Sequence, residues 1–589
     1  MRLQLIEANF HDFKSIGQGS VGFSDISVLI GKNNSGKSNV IDAFASLKEL
    51  EENRPGHDYS QQWFLDKAMG KNIDSQFQIS LVYRFPEERR QSIYEGINRT
   101  NSKHRKAKSR IENSSILNKV KYEISVEGTG RRSRNKMFYI DDGSEWQEID
   151  DFYRKYDVVD RSEIRETIED SIKTWRFVDP FRVPRDIDTA GYTTELESDG
   201  TNLVKVLNSL QTNHPEMFED IASSYVDIMD GVTDISVEYD TDLRESDMTI
   251  VVNEENFDIK FKSSDISSGS KEILVLLTQI YWASENSDIL FLEEPELHLH
   301  PGAERKVFNL IRDLVSKKDI RVVISTHSDV FVDQTRASSI TRVDRQDRTV
   351  LRSIEPDEVD VELQDLGYEK SGLLQSEAVI FVEGLSDKRI LKQFGSTAGL
   401  NFDEFGVEVV ELEGIDRMRR DSKSLVKLLS SFNIPHLFII DKHDITIEEA
   451  KGQLYDSMAR DDGNEWWDVS LDNIFVWNAY GIEQYLLNSR AIAEDFEMSQ
   501  ETVQQIIDEN EGVDDKEIVL QKIYAEEHSE LENPEGIFNK ATDGLYISKR
   551  MNANELPEDV LQALVKIADR LERVDLNDLE PEIPESLLS

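Results

Sequence analysis

The stretch GKNNSGKSN, residues 31–39, holds Gly31, Gly36, Lys37 and Ser38 at the spacing Gly-x-x-x-x-Gly-Lys-Ser. Such a loop can surround phosphate with backbone N–H groups at a helix N-terminus, with Lys37 on the β and γ phosphates and Ser38 on magnesium. Asn34 and Asn39 belong to the same candidate nucleotide loop. Three later segments supply what that loop needs. DILFLEEPELHLHP (288–301) is an apolar run ending in adjacent carboxylates, which suits Glu293 to the magnesium and Glu294 to activating water. SSGSKE (267–272) opens a helix with a turn in which Ser268 and Gly269 can hold a γ-phosphate. VVISTHSD (322–329) ends another apolar run with His327, placed to sense that phosphate.

A second set of acids lies further along. SEAVIFVEGLSDKRIL (376–391) puts Glu383 at the end of an apolar strand, and IPHLFIIDKHDITIEE (434–449) ends another with Asp441 and then Asp444. Side-by-side strands of a parallel sheet bring such acids together at their carboxyl edge, where Mg²⁺ or Mn²⁺ can bind. His298 and His300 are set aside as a zinc pair, because the chain has no cysteine and no further ligand cluster accompanies them.

These residues need strands that end on one edge and helices that begin there. Short apolar runs alternate with helical ones through both halves, predicting α/β architecture with mostly parallel sheets. The expected division is an N-terminal domain over 1–372 and a C-terminal domain over 373–589 with a helical extension. Within the first, residues 86–175 read as a polar, basic elaboration and about 186–232 as a helical insertion, with a helical hairpin at 199–229. No apolar run reaches the roughly 20 residues a bilayer span needs, and the opening MRLQLIEANF alternates like a strand, so a soluble, cytoplasmic protein is expected.

The 589 residues carry 68 Lys and Arg against 116 Asp and Glu, a formal charge of −48. By itself this excess opposes binding to a polyanion. The acids are spread along the whole chain, however, which resembles the proteins of salt-in halophiles, where molar salt shortens screening to about 3 Å. Two basic islands stand out against that background. They are RTNSKHRKAKSR (99–110) and GRRSRNK (130–136), candidate phosphate-contacting segments.

The four phosphate motifs, in this order and with the wording EPELHLHP, resemble an ABC-type ATPase of the chromosome-maintenance (SMC) and RecF-like branch. That likeness implies ATP and Mg²⁺ as cofactors, with Ser268 and Gly269 of one subunit closing on nucleotide held by another. The VEGLSD and IIDKHD segments resemble a Toprim domain, although His443 stands where the Asp-x-Asp motif has its second acid. Asp444 is then the expected substitute, Glu448 an added ligand, Glu483 a further metal-binding acid, and Lys549, with Lys540 as its rival, the late lysine that steadies transition-state charge. Both halves together resemble the overcoming-lysogenization-defect (OLD) family of nucleases, whose members include the nuclease subunit of Gabija anti-phage systems. The resemblance implies a DNA endonuclease or nickase using Mg²⁺ or Mn²⁺, a homodimer or homotetramer, and in some members a helicase partner. Other classes consistent with the motifs are an SMC- or RecF-like repair ATPase with a non-catalytic Toprim scaffold, a topoisomerase or primase relative, and a nucleotide-gated sensor.

Overall fold

In the computed structural model the chain forms two compact units, residues 1–355 and 356–589. The structure describes residues 4–581 apart from 54–60, 69, 71–74, 85–118, 128–133, 142–145, 152–162, 190, 240–246, 256–258, 354–369, 459–469, 530–537, 540, 572–573, 575 and 577–578.

A twelve-stranded sheet organises the first unit. Its parallel part runs Ile340–Arg345, Ile26–Ile30, Arg321–Ser325, Ile289–Glu293 and Arg176–Val178, every neighbour in parallel register. The central three of these are almost wholly apolar and buried, as strands covered by helices on both faces must be. The register aligns Glu293 with Ser325 and Leu29 with Ser325, so the chain leaves all three strands at the same edge. That shared edge places the first candidate site.

The rest of the sheet is mostly antiparallel, from Thr349–Ser353 through Ile16–Gly22, Gln4–Phe13 and Gln76–Arg84 to Lys119–Glu127, Arg134–Asp141 and Trp146–Glu148. The segment expected as an elaboration therefore continues the main sheet. Helix Glu163–Thr174 buries Ile164, Ile168 and Ile172, one face at a spacing of four, in the core that includes Trp175. Phe44, fully buried on the helix after the glycine loop, stacks on Phe291 at 4.9 Å and meets Trp175 edge-on at 5.8 Å. These rings fix the loop's helix against the strand that carries Glu293.

The helical hairpin is present as Leu203–Asn213 and Pro215–Ile228, with Pro215 at the first helical position, where its missing N–H is not needed. A four-stranded antiparallel sheet follows, built on Asp247–Glu254.

The second unit has a four-stranded parallel sheet in the order Val407–Glu411, Ala378–Val382, His436–Ile440, Ile474–Val476. Phe381 and Phe438 stack across its two central strands at 4.6 Å, so the strands ending in Glu383 and Asp441 are direct neighbours. Among the described residues no helix is long and apolar enough to cross a membrane.

Of the basic islands, 99–110 and Arg131 and Arg132 lie outside the described residues, as does the Arg134 side chain. Lys136 departs from the expectation of a phosphate contact. Its ammonium is bound to the nearly fully buried Glu51 carboxylate and, at 2.9 Å, to Glu169, because strand Arg134–Asp141 presents it to the interior.

Candidate functional site

The loop after Ile26–Ile30 leaves no room at its first glycine. A Cβ on Gly31 would stand 2.1 Å from the Val343 carbonyl oxygen, and the residue's φ of +148° is one that side chains rarely adopt. Gly36 caps helix Lys37–Glu52, whose first N–H groups face the loop and favour an anion there. Thr349 braces the loop from strand Thr349–Ser353 of the same sheet by donating to the Ser35 carbonyl at 2.9 Å and meeting Ser15 at 2.7 Å. Asn39 donates to Ser15 at 2.6 Å, so its side chain serves that brace. Asn34, exposed and at φ 66°, forms part of the outer loop. A helix N-terminus, a tight glycine turn and a lysine inside it fit a nucleotide phosphate.

Lys37 is mostly buried and points back into the loop. Its ammonium donates to the Gly31 carbonyl at 2.7 Å and the Lys32 carbonyl at 3.3 Å, and lies 2.7 Å from Nε2 of His327. Burial lowers its pKa, opposed by the charges of Glu294, Glu296 and Glu293. His327 is likewise held below its ordinary value, first by burial and then by Lys37. The imidazole therefore faces the ammonium as a neutral acceptor.

Glu293 accepts a hydrogen bond from Ser38, and burial raises its pKa. The serine and the acid expected to share magnesium thus already touch. Glu294 has a positive φ of 44° and donates its N–H to the Ser325 carbonyl at 2.8 Å, which turns the chain sharply after the strand. Glu296 accepts from the Thr326 hydroxyl and from the His327 N–H, both at 2.7 Å, and so sets the backbone that carries His327.

Ser267 caps helix Ser268–Asn286 by accepting from the Ser270 N–H. Ser268 and Gly269 are thus at a helix N-terminus, as the sequence predicts, and no described contact joins them to residues 31–39. His298 meets Glu272 of that helix at 2.9 Å, while His300 caps helix Pro301–Lys317 by accepting from the Gly302 and Ala303 N–H groups. Both histidines have structural partners.

Arg182 was not legible in the sequence. It is 3% exposed and donates to the carbonyls of Glu293 and Glu294 at 3.3 and 3.4 Å. Burial pushes its pKa down to about 10, against Glu272, Glu296 and Asp179, so the guanidinium remains a cation beside the acids. Only its neighbours in space single it out.

In the second unit the Asp441 N–H donates to Glu383 Oε1 at 2.8 Å. Nε2 of His443 lies 3.5 Å from Glu383 Oε2. Glu383, Asp441 and His443 each offer a donor atom within 4.8 Å of the others, the one such group of three among the described residues. Glu483, buried in the short turn Ile482–Leu486, reaches the same place: a Cβ on Gly481 would come 2.5 Å from its Oε2 and 3.2 Å from Asp441 Oδ2. The small residue leaves room for two carboxylates, and the set of Glu383, Asp441 and His443, with Glu483 beside Asp441, fits a divalent cation.

Asp444 and Glu448 are exposed and lie outside that cluster. His443, at the position where the motif has its second acid, has a φ of 49° and a ring edge-on to Tyr480. Lys549 is exposed on helix Asp543–Arg550, with its ammonium 5.3 Å from the Tyr546 ring, and no described contact brings it to the acids. Lys540 lies outside the described residues.

A glycine phosphate loop on a parallel sheet, with acid and histidine at the neighbouring strand ends, defines an ATPase, and paired acids on adjacent parallel strands define a Toprim domain. Residues 26–333 match the family described as AAA domain, putative AbiEii toxin, Type IV TA system, and residues 374–442 match the overcoming lysogenization defect protein-like TOPRIM domain. The chain thus belongs to that AAA-domain family and carries an OLD-like Toprim domain, the ATPase–Toprim make-up of the OLD family. It is similar to the OLD nuclease of Thermus scotoductus, 24% identical over 217 residues that cover 35% of this chain and 39% of the relative. A 122-residue stretch, 20% of this chain and 23% of the relative, is 26% identical to protein ea59 of Escherichia phage lambda. The chain thus spans well under two thirds of these relatives' lengths. Among solved structures it is similar to an SMC head bound to the C-winged helix domain of ScpA, at 13% identity and a TM-score of 0.37, covering 60% of this chain and 98% of that one.

Proposed function

We propose that this chain is an ATP-hydrolysing, metal-dependent DNA endonuclease or nickase in which the ATPase unit controls cleavage by the Toprim unit, working in anti-phage defence or DNA processing. The observation that carries the reading is the meeting of Glu383, Asp441 and His443, with Glu483 beside Asp441, in one chain with a complete phosphate loop.

In the ATPase unit, Lys37 exchanges the Gly31 and Lys32 carbonyls and His327 for phosphate oxygens. Ser38 and Glu293 would hold a magnesium ion, and Glu294 would take the proton of the attacking water. His327, released from Lys37, is then free to donate to the γ-phosphate. Ser268 and Gly269 act on nucleotide held by a second copy, which makes the working form a homodimer or homotetramer.

In the Toprim unit, Glu383, Asp441 and Glu483 hold the divalent ion. When bound, that ion supplies Lewis acidity, easing loss of a proton from water and offsetting charge on the scissile phosphate. The acids keep the ion at the carboxyl edge of the sheet, and the basic segment 99–110 contributes DNA contacts. A helicase-type partner remains part of the family-based proposal.

The test is supercoiled plasmid incubated with the purified chain, Mg²⁺ or Mn²⁺, with and without ATP, beside Glu383→Ala and Lys37→Ala, at moderate and molar salt. Nicking or linearisation that disappears in Glu383→Ala supports the nuclease, and Lys37→Ala reports the direction of ATP control. Plasmid left intact throughout while ATP is hydrolysed favours a Toprim scaffold, the reading that the interrupted Asp-x-Asp motif favours.

A further inference from the structure

We propose that His443 is itself a metal ligand and makes the Toprim centre a mixed nitrogen–oxygen site that prefers first-row transition ions to magnesium; this rests on the metal-site reading above.

The argument begins at the backbone. After strand His436–Ile440 the chain places Asp441 and His443 on either side of Lys442, and His443 has a φ of 49°. Such a conformation is disfavoured for a non-glycine residue and persists where its surroundings impose it. Here the His443 N–H reaches the Tyr480 carbonyl at 3.4 Å, and its ring stands edge-on to the Tyr480 ring, centroids 5.6 Å apart at 79°. Both contacts come from the loop that also carries Gly481 and Glu483. The loop that supplies one acid therefore also aims the imidazole.

Nε2 lies 3.5 Å from Glu383 Oε2, and His443 belongs to the set whose donors lie within 4.8 Å of one another. Asp444, the next acid in the chain, is outside that set. Magnesium takes oxygen ligands and dehydrates reluctantly, so exchanging a carboxylate for imidazole weakens its hold. Transition ions accept imidazole nitrogen readily, in the order Mn²⁺ below Co²⁺. The same exchange removes one negative charge, a further loss for a hard cation.

The experiment uses the full chain without nucleotide, with Glu383→Ala defining the signal that belongs to this centre. Pulsed EPR of bound Mn²⁺ should show nitrogen hyperfine coupling that vanishes in His443→Asp while the ion stays bound. Calorimetry should show the Co²⁺ to Mg²⁺ affinity ratio falling by at least about tenfold in His443→Asp, the scale on which ligand-sphere changes act. An oxygen-only spectrum in the unmodified chain, or the same ratio in both proteins, would overturn the role of His443 while leaving an acid-bound ion in place. Ion binding identical in the unmodified chain and Glu383→Ala would remove the metal-site reading and this one with it. Should His443→Asp fail to fold, the unmodified chain's spectrum decides alone.

Discussion

The ammonium of Lys37 lies 2.7 Å from Nε2 of His327, so the residue meant for phosphate and the residue meant to sense it occupy each other. Burial first, and then the neighbouring ammonium, disfavour an imidazolium at His327, which is why its pKa falls below 6.5. The unfolded chain consequently takes up this proton first as pH falls through 6.5. Stability conferred by neutral His327 is complete above that pH and declines below it until the folded value is passed. Histidine NMR of the nucleotide-free chain, assigned with His327→Gln, should show the depressed titration. In Lys37→Ala it should rise part of the way, because burial, the larger cause, remains; an unmoved titration would refute the coupling.

Gly481→Ala should leave the fold intact and damage the metal centre. The backbone there is extended at φ −158°, which any residue adopts, so the whole effect is steric and falls on the Glu483 and Asp441 carboxylates. We expect divalent-ion affinity to drop about 10–100-fold and plasmid cleavage to fall with it, at an unchanged circular dichroism spectrum. Calorimetry with Mn²⁺ reads the first directly.

Asp559 should act on the same centre from a distance. On the first turn of helix Glu558–Ala568 it accepts from the Tyr485 hydroxyl, the Asn478 N–H at 2.9 Å and the Asn478 amide at 2.7 Å. These bonds pin both ends of the loop that carries Gly481 and Glu483. Asp559→Ala should cost about 2–3 kcal/mol for the donors left unpaired and weaken ion binding, whereas Asp559→Asn should recover part of each. A thermal melt unchanged in the alanine variant would contradict the assignment.

Lys136 separates structural from DNA-binding cations. Lys136→Met leaves the Glu51 carboxylate with Tyr122 and without its cation, and should lower stability by about 1–3 kcal/mol. It should leave the salt dependence of DNA binding as it was. Replacing Arg99, Lys103, Arg105, Lys106, Lys108 and Arg110 by serine should instead weaken binding and flatten that dependence. Fluorescence anisotropy across a salt titration distinguishes the two.

The charge of −48 leads to the last prediction. Melting midpoints should rise from low to molar KCl as repulsion among carboxylates is screened. A midpoint that falls over that range would rule out adaptation to high salt.

The phosphate motifs were legible because each is a contiguous run whose chemistry depends on residues a few positions apart. Glu383 and Asp441 were legible for a related reason, since an apolar strand announces where its end will lie. Arg182 and the Thr349–Ser15–Asn39 brace were not, because each acts on residues far away in sequence, and a buried arginine or a strand threonine has no local mark. The place of His443 was not legible on local grounds. A histidine between two aspartates looks like an interruption, and only the fold shows that it stands beside Glu383 and Asp441 while Asp444 does not. The basic elaboration read as an appendage because its polarity drew attention from the alternation in KVKYEISVE, whose Val120, Tyr122, Ile124 and Val126 are buried.

The order of strands in the large sheet also sets a schedule for the growing chain. Ile26–Ile30 has as its neighbours Arg321–Ser325 and Ile340–Arg345, and its loop is braced by Thr349, 334 residues after Ser15. At translation rates of 5–20 residues per second, the glycine loop waits about 15–60 s for the strands that enclose it. Until then the chain displays the whole motif with no seat for a nucleotide. The ATP site is thus among the last parts of its unit to be completed during synthesis, although its motif is among the first parts to be made.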